Sequence, residues 1–310
     1  MKQPEENMPT TDYRNKIQNS VIAVPPMARG DDLTVCPTEN QRMIDHLKAG
    51  GVRTFLYGGN ALFYHIRLSE FAEVVHMLVE QAGPESWVIP SIGSSFGMMM
   101  DQAALAADLP VETFMVLPQK DITDPDGIER GIRMAVERMG KPIVLYLKFD
   151  RWLPPSAVER LVQQGYVSWI KYAVVLDDPT KDPYLKELLE LVPRELFVSG
   201  MGEQPAICHM RDFQMGGFTS GCVCIRPDLS TQMLQAMRSA NWEQADRIRA
   251  VFEPLEDQRN AISPIRVLHE AVGLSGISTV GPLVPLLSGL SEPQRTEIAN
   301  TVQRLKGVTL

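Results

Sequence analysis

Lys171 lies within Ser168-Trp-Ile-Lys-Tyr-Ala-Val-Val175, among aromatic and β-branched residues, with no acidic residue before Asp177. On a buried strand, desolvation would lower such an amine from a pKa of about 10.4 toward roughly 7 or 8. The resulting free amine can attack a carbonyl carbon and form a Schiff base. On an outward face, the same side chain would lay its stem between helices and keep its charge in water. Strand residues alternate faces, so one lysine alone does not choose between these readings.

Three further groups carry potential chemistry. In Tyr57-Gly58-Gly59-Asn60-Ala61, two glycines let backbone amides approach a ligand, and Asn60 can donate or accept, although Gly-Gly-Asn also suits an ordinary turn. Tyr146-Leu-Lys-Phe-Asp-Arg151 places a phenol at a strand end and a guanidinium beyond it, suited to a carboxylated substrate. A core aromatic and a surface ion pair are their bland counterparts. The glycine turns Gly200-Met-Gly202 and Gly216-Gly217 stand where many barrels bind phosphate. Cys222 and Cys224 form one C-x-C pair without histidines at ligand spacing; with Cys36 and Cys208 they are read as reduced thiols, and no metal is expected.

The elements that must position these residues are short apolar runs alternating with stretches of helical period. Eight such runs can be read, at residues 21–24, 54–57, 87–92, 113–117, 142–147, 167–172, 196–199 and 217–220. Helices are expected from Thr38 to Ala49, from Ser69 to about Gln81, from Met98 to Leu109 and from near Pro125, with others after the later strands. Eight strand–helix pairs predict an α/β fold, a (β/α)8 TIM barrel, over residues 21–225. Residues 1–20 read as a polar arm. Residues 226–310 hold the last barrel helix and a C-terminal helical appendage, with helices near Trp242–Arg259, Pro264–Val272 and Pro293–Leu305.

Composition narrows the partners. Lysine and arginine total 30 against 38 acidic residues, a formal net charge of −8, which disfavours nucleic acid. No apolar run approaches the roughly 18–20 residues of a membrane helix, and the first 20 residues lack the apolar core of a secretion signal, so a cytoplasmic protein is expected.

Taken together, these motifs resemble the dihydrodipicolinate synthase and N-acetylneuraminate lyase family, from about Val21 to Leu290. Gly58-Gly-Asn-Ala61 falls where that family has Gly-Thr-Thr-Gly or Gly-Gly-Thr-Gly, with Leu68-Ser-Glu70 following at the family spacing. Tyr146–Arg151 is similar to Tyr-Asn-x-Pro-x-Arg, and Ile170-Lys171 to the segment bearing the Schiff-base lysine. Val198-Ser-Gly200, Gly217-Phe-Thr-Ser220 and Val280-Gly-Pro-Leu-Val-Pro-Leu286 resemble its later turns and last strand.

The resemblance implies a Schiff-base lyase, an aldolase, synthase or dehydratase acting on pyruvate or a related 2-oxo acid, with an aldehyde or sugar acid as the other reactant. It needs no cofactor, and a homotetramer or homodimer is implied. Lys171 and Tyr146 would be catalytic; Gly59, Asn60, Gln119, Arg151, Gly200 and Thr219 would bind substrate. The chain also departs from the family. Pro118-Gln119 stands where the family has Pro-Tyr, and an amide cannot relay protons near neutral pH. Proton transfer would then fall to Tyr146, Tyr64 or water. Two other readings stay open: a catalytically reduced 2-oxo-acid binder or scaffold, and a phosphate-sugar enzyme using the glycine turns.

Overall fold

The computed structural model describes residues 13–309. Its strands are β1 (Ile22–Ala23), β2 (Thr54–Leu56), β3 (Trp87–Ile89), β4 (Ser91–Ile92), β5 (Phe114–Val116), β6 (Ile143–Leu147), β7 (Val167–Tyr172), β8 (Phe197–Ser199) and β9 (Gly217–Ser220). They form one parallel sheet in the order β3-β2-β1-β9-β8-β7-β6-β5-β4. The sequence reads 87–92 as one strand, and Pro90 divides it because proline has no N–H for the ladder. The chain pairs with β2 before Pro90 and with β5 after it, and the Pro90 carbonyl still accepts the Met115 N–H at 2.8 Å. The two ends of the sheet are therefore consecutive halves of one strand position. The fold is a (β/α)8 barrel with a C-terminal helical appendage.

Helices cross between the strands, and their starts follow capping chemistry. The first crossover spans Pro37–Ala49 rather than starting at Thr38, because Pro37 takes the first helical position, where a missing N–H is harmless. Helix Pro125–Met139 is capped by the Asp124 carboxylate, which accepts the Gly127 N–H at 2.9 Å. Strands buried on both faces carry large apolar side chains, Phe55, Phe114, Trp169 and Phe197 among them, and all four are fully buried.

The expected polar arm is only partly described. Residues 1–12 lie outside the described residues, and Tyr13–Asn19 forms a helix whose Ile17 is fully buried. Ile17 closes the end of the barrel where strands begin. A Cβ on Gly216 would lie 2.5 Å from the Glu195 carbonyl and 3.2 Å from Ile17 Cγ2. Gly216-Gly217 therefore serves close packing at the face opposite the strand ends, which removes it from any phosphate site.

Helix Pro227–Arg238 is followed by the appendage, Trp242–Ala261, Pro264–Ser275 and Glu292–Gly307. Val267, Leu268, Ala271, Val272, Ile298 and Val302 bury its apolar faces. Among the described residues, no helix is long and apolar enough to cross a membrane.

Candidate functional site

Tyr146 and Lys171 are register partners on the neighbouring strands β6 and β7, so their side chains project from the same face of the sheet. Lys171 is 6% exposed, and its Nζ lies 4.6 Å from the centre of the Tyr146 ring. Burial, reinforced by the charges of Lys148 and Arg259, lowers the Lys171 pKa to about 7. Near neutral pH about half of this amine is therefore uncharged and nucleophilic. Burial, with a smaller contribution from Tyr64, pushes the Tyr146 hydroxyl well above the ordinary phenol range. Tyr146 therefore stays protonated near neutral pH and can donate its hydroxyl proton. Burial raises Tyr64 to about 12, and its hydroxyl points toward the Pro118 carbonyl at 3.5 Å, beside the Pro-Gln pair.

The loop after β2 crosses the barrel mouth. Asn60 is committed through its side chain, whose Nδ2 donates to the Val24 carbonyl at 2.8 Å and ties the loop to the end of β1. The Gly59 and Asn60 N–H groups donate to no backbone or side-chain acceptor among the described residues. They are available to an anion. A Cβ on Gly58 would lie 2.5 Å from Met115 Cε, which accounts for a glycine there.

Gly200 follows β8 and makes room for the lysine. A Cβ on it would sit 2.7 Å from Ala173 Cβ and 3.0 Å from Lys171 Cγ. Thr219 is buried on β9. Lys171 pairs with Val198 and Val198 with Gly217, and Thr219, two residues on, shares their face. Gln119 lies at the rim, its carbonyl accepting from Trp152 Nε1 at 2.8 Å. Arg151 is drawn away from this group. Its guanidinium makes two bonds to Glu187, at 2.9 and 2.6 Å, at the exposed surface, and its backbone has a φ of 51°.

Four residues of this region carry no assignment from sequence. Lys148 stands two positions beyond Tyr146, a period-two signal that sequence alone offers. Arg259 is nearly ninety residues from Lys171 along the chain, and only the folded appendage brings it near. Glu203 and Glu256 form a buried carboxyl pair. Glu256 accepts the Glu203 and Gln204 N–H groups at 2.9 and 2.8 Å, and Glu203 Oε1 accepts the Ser220 and Ser230 hydroxyls, each at 2.6 Å. Burial and the adjacent Glu203 hold the Glu256 carboxyl well above the usual range, so the pair retains a proton.

This arrangement decides the phosphate reading. The amides following Gly202, which would cradle a phosphate, are already filled by the Glu256 carboxylate. Glu203, Cys222 and Glu256 also lie close enough to share a cation, with ligand atoms within 4.8 Å of one another. Glu256 spends both oxygens on backbone amides, Glu203 spends Oε1 on two hydroxyls and keeps Oε2 without a partner, and burial pushes the Cys222 thiol far up, so the cluster serves as a polar tie between the β8 loop and the appendage.

A cavity of about 640 Å³ lies to one side, between helices Phe96–Ala106 and Pro125–Met139, lined by Ser94, Met99, Gln119, Ile128 and Trp152 among others. Lys171 does not line it. The buried amine thus stands apart from this cavity.

No protein-family model matches the chain, and no curated protein matches it. Among solved structures it is similar to the dihydrodipicolinate synthase of Bacillus clausii, with 20% identity, 95% of this chain and 99% of that one covered, and a TM-score of 0.83. The dihydrodipicolinate synthase of Oceanobacillus iheyensis shares 20% identity over 94% of this chain and 98% of its own, with a TM-score of 0.82. The 4-hydroxy-tetrahydrodipicolinate synthase of Methylacidiphilum fumariolicum SolV shares 15% over 93% and 96%, with a TM-score of 0.81. At these identities the likeness establishes a common fold, barrel and appendage together, over nearly the whole chain.

Proposed function

We propose that this chain is a Schiff-base-forming lyase acting on pyruvate or a related 2-oxo acid. The observation that carries the reading is a buried lysine with a pKa lowered to about 7, in register with a half-buried, protonated tyrosine. Neutral Lys171 attacks the ketone carbon, and the carbonyl oxygen takes up a proton to give a carbinolamine. Tyr146 donates the proton with which that oxygen leaves as water, giving a protonated imine. Loss of a proton from the adjacent carbon gives an enamine. The enamine adds to an aldehyde, or forms when one is expelled, or eliminates a β-hydroxyl; water then cleaves the imine and restores the amine. The Gly59 and Asn60 amides hold the substrate carboxylate, and Gly200 and Thr219 shape the wall beside the lysine.

Gln119 cannot replace the family's relay tyrosine. Tyr64 supplies the missing phenol in this reading, because it couples electrostatically to Tyr146 and reaches toward Pro118. The same Gln119 favours a second reading, a member that binds 2-oxo acids without turnover. Incubation with pyruvate and borohydride tests both. A reduced pyruvyl group on the Lys171 peptide, together with turnover of an aldehyde or sugar acid, supports the lyase. An adduct without turnover supports the binder. Absence of any adduct across several 2-oxo acids overturns both.

A homodimer or homotetramer belongs to this proposal. Phe96 and Ile122, 51% and 97% exposed beside the cavity, offer apolar surface for a second copy, which sedimentation would reveal. Four free thiols support a reducing, cytoplasmic setting.

A further inference from the structure

The appendage does more than cover the barrel wall. Helix Trp242–Ala261 ends near the barrel mouth, and helix Pro264–Ser275 begins there, its Ile265 Cδ1 coming within 3.9 Å of where a Cβ on Gly59 would lie. Arg259, in the last turn of the first of these helices, reaches the same rim two strands away, with β1 between. Its Nη2 lies 2.9 Å from where a Cβ on Gly221 would sit, directly beyond the end of β9. Its Nε donates to the Pro264 carbonyl at 3.2 Å, and Nη1 faces the Cys222 sulfur at 3.8 Å, a weak acceptor.

This guanidinium is partly buried, yet it has no carboxylate within 4.0 Å among the described residues. Of the two acids nearby, Glu256 accepts backbone amides with both oxygens and Glu203 accepts two serine hydroxyls with Oε1, while Glu203 Oε2 has no hydrogen-bond partner among the described residues. Arg151, which sequence would assign to an anion, is held at the surface by Glu187. The mouth thus contains Lys171, Arg259 and the unpaired Gly59 and Asn60 amides, and among the described residues no acid lies within ion-pair distance of the guanidinium. A planar guanidinium with free donors matches a carboxylate, which it can grip with two parallel bonds.

We propose that Arg259, delivered by the appendage, joins the Gly59 and Asn60 amides in recognising the carboxylate of the 2-oxo acid that reacts with Lys171. The proposal rests on the Schiff-base reading and adds to it a residue that selects acids over neutral ketones. Arg259 also carries one of the charges that suppress protonation of Lys171, so its two effects must be separated.

The test compares borohydride trapping of pyruvate with trapping of hydroxyacetone, a ketone without a carboxylate, in the wild type, Arg259→Gln and Arg259→Lys, across a range of pH. Arg259→Gln is expected to raise the pyruvate concentration for half-maximal trapping about 30-fold, the size of a lost charge-assisted bond pair. The hydroxyacetone concentration should change less than about 2-fold once each curve is read at its own pH plateau. Arg259→Lys keeps the charge without the fork and should fall between. Equal changes for both ketones, or no change for pyruvate, overturn the role of Arg259 while the lysine chemistry stands. If the wild type traps neither ketone, the Schiff-base reading fails first, and the inference falls with it.

Discussion

Lys171 pairs in register with Tyr146 across β6 and β7, and the lysine nitrogen hangs 4.6 Å from the centre of the tyrosine ring. A buried amine and a half-buried phenol so placed hold complementary protonation states. Near pH 7 the amine can be free of its proton while the phenol keeps its own. Removing the phenol should therefore impair dehydration of the carbinolamine more than binding. Tyr146→Phe is expected to slow adduct formation about 100-fold and Tyr64→Phe about 10-fold, both with little change in the pyruvate concentration needed. Full rates in Tyr146→Phe, measured by trapping kinetics, would exclude it as the acid.

The same depressed pKa makes a stability prediction. Lys171 falls from 10.5 in the unfolded chain to about 7 in the fold. Between those values the unfolded state binds the extra proton, so this residue's contribution to stability rises with pH across that window and is least favourable below about pH 7. Lys171→Met should accordingly be more stable than the wild type at pH 6, by on the order of 4 kcal/mol before repacking, and the difference should shrink toward pH 10. Urea unfolding at pH 6, 8 and 10 measures it. A difference independent of pH would mean that Lys171 is not held neutral.

Lys148 supplies part of that depression as a like charge. The rate of trapping should rise through about pH 7 as Lys171 loses its proton, because only the neutral amine attacks. In Lys148→Met the loss of repulsion lets Lys171 hold its proton longer, so the midpoint moves to higher pH. A midpoint that stays in place would mean that burial and Arg259, without Lys148, set the pKa.

The candidate residues could be named from sequence because strands impose period two and barrels gather strand ends at one face, and the fold brings Lys171 and Tyr146 together. Lys171, Tyr146 and the Gly58–Asn60 loop each declare themselves by residue type within a few positions of a strand end. Arg151 shows where such reasoning stops. Its spacing places it in the right loop, but a φ of 51° and an ion pair with Glu187, thirty-six residues away, decide where the guanidinium goes. Arg259 and the Glu203–Glu256 pair fail for another reason. Arg259 and Glu256 come from a helix whose docking onto the barrel, where Glu256 meets Glu203 of the β8 loop, depends on side-chain packing across the interface, which no local period encodes. The helix Tyr13–Asn19 was hidden likewise, since one buried isoleucine in a polar segment gives no recognisable stripe.

Gly200 permits a sharper test of geometry. A Cβ there would meet Ala173 Cβ at 2.7 Å, the Tyr172 carbonyl at 2.8 Å and Lys171 Cγ at 3.0 Å. Two of these are not free ends that can swing aside, so the β8 loop must shift. Gly200→Ala is expected to destabilise the fold by about 1–3 kcal/mol and, where folded, to slow trapping about 10-fold by displacing the lysine stem. Normal stability with normal trapping would show that the loop yields freely.

Glu256 offers the corresponding test at the cluster that ties the appendage to the barrel. Its carboxylate accepts two backbone N–H groups, at 2.9 and 2.8 Å, and a Cβ on Gly202 would collide with it. Glu256→Ala leaves both amides without an acceptor and opens a small anion-sized space, which should cost about 2–4 kcal/mol of stability. Glu256→Gln keeps one acceptor oxygen but turns an amide N–H₂ toward the second donor, so it should lose about half as much. Because the space matches a carboxylate, millimolar formate should restore part of the lost stability to Glu256→Ala and leave the wild type unchanged. Thermal unfolding with and without formate reads this directly. Equal effects of formate on both proteins would show that the Glu203 and Gln204 amides do not form a carboxylate site, and the account of why phosphate is excluded from this end of the barrel would fall with it.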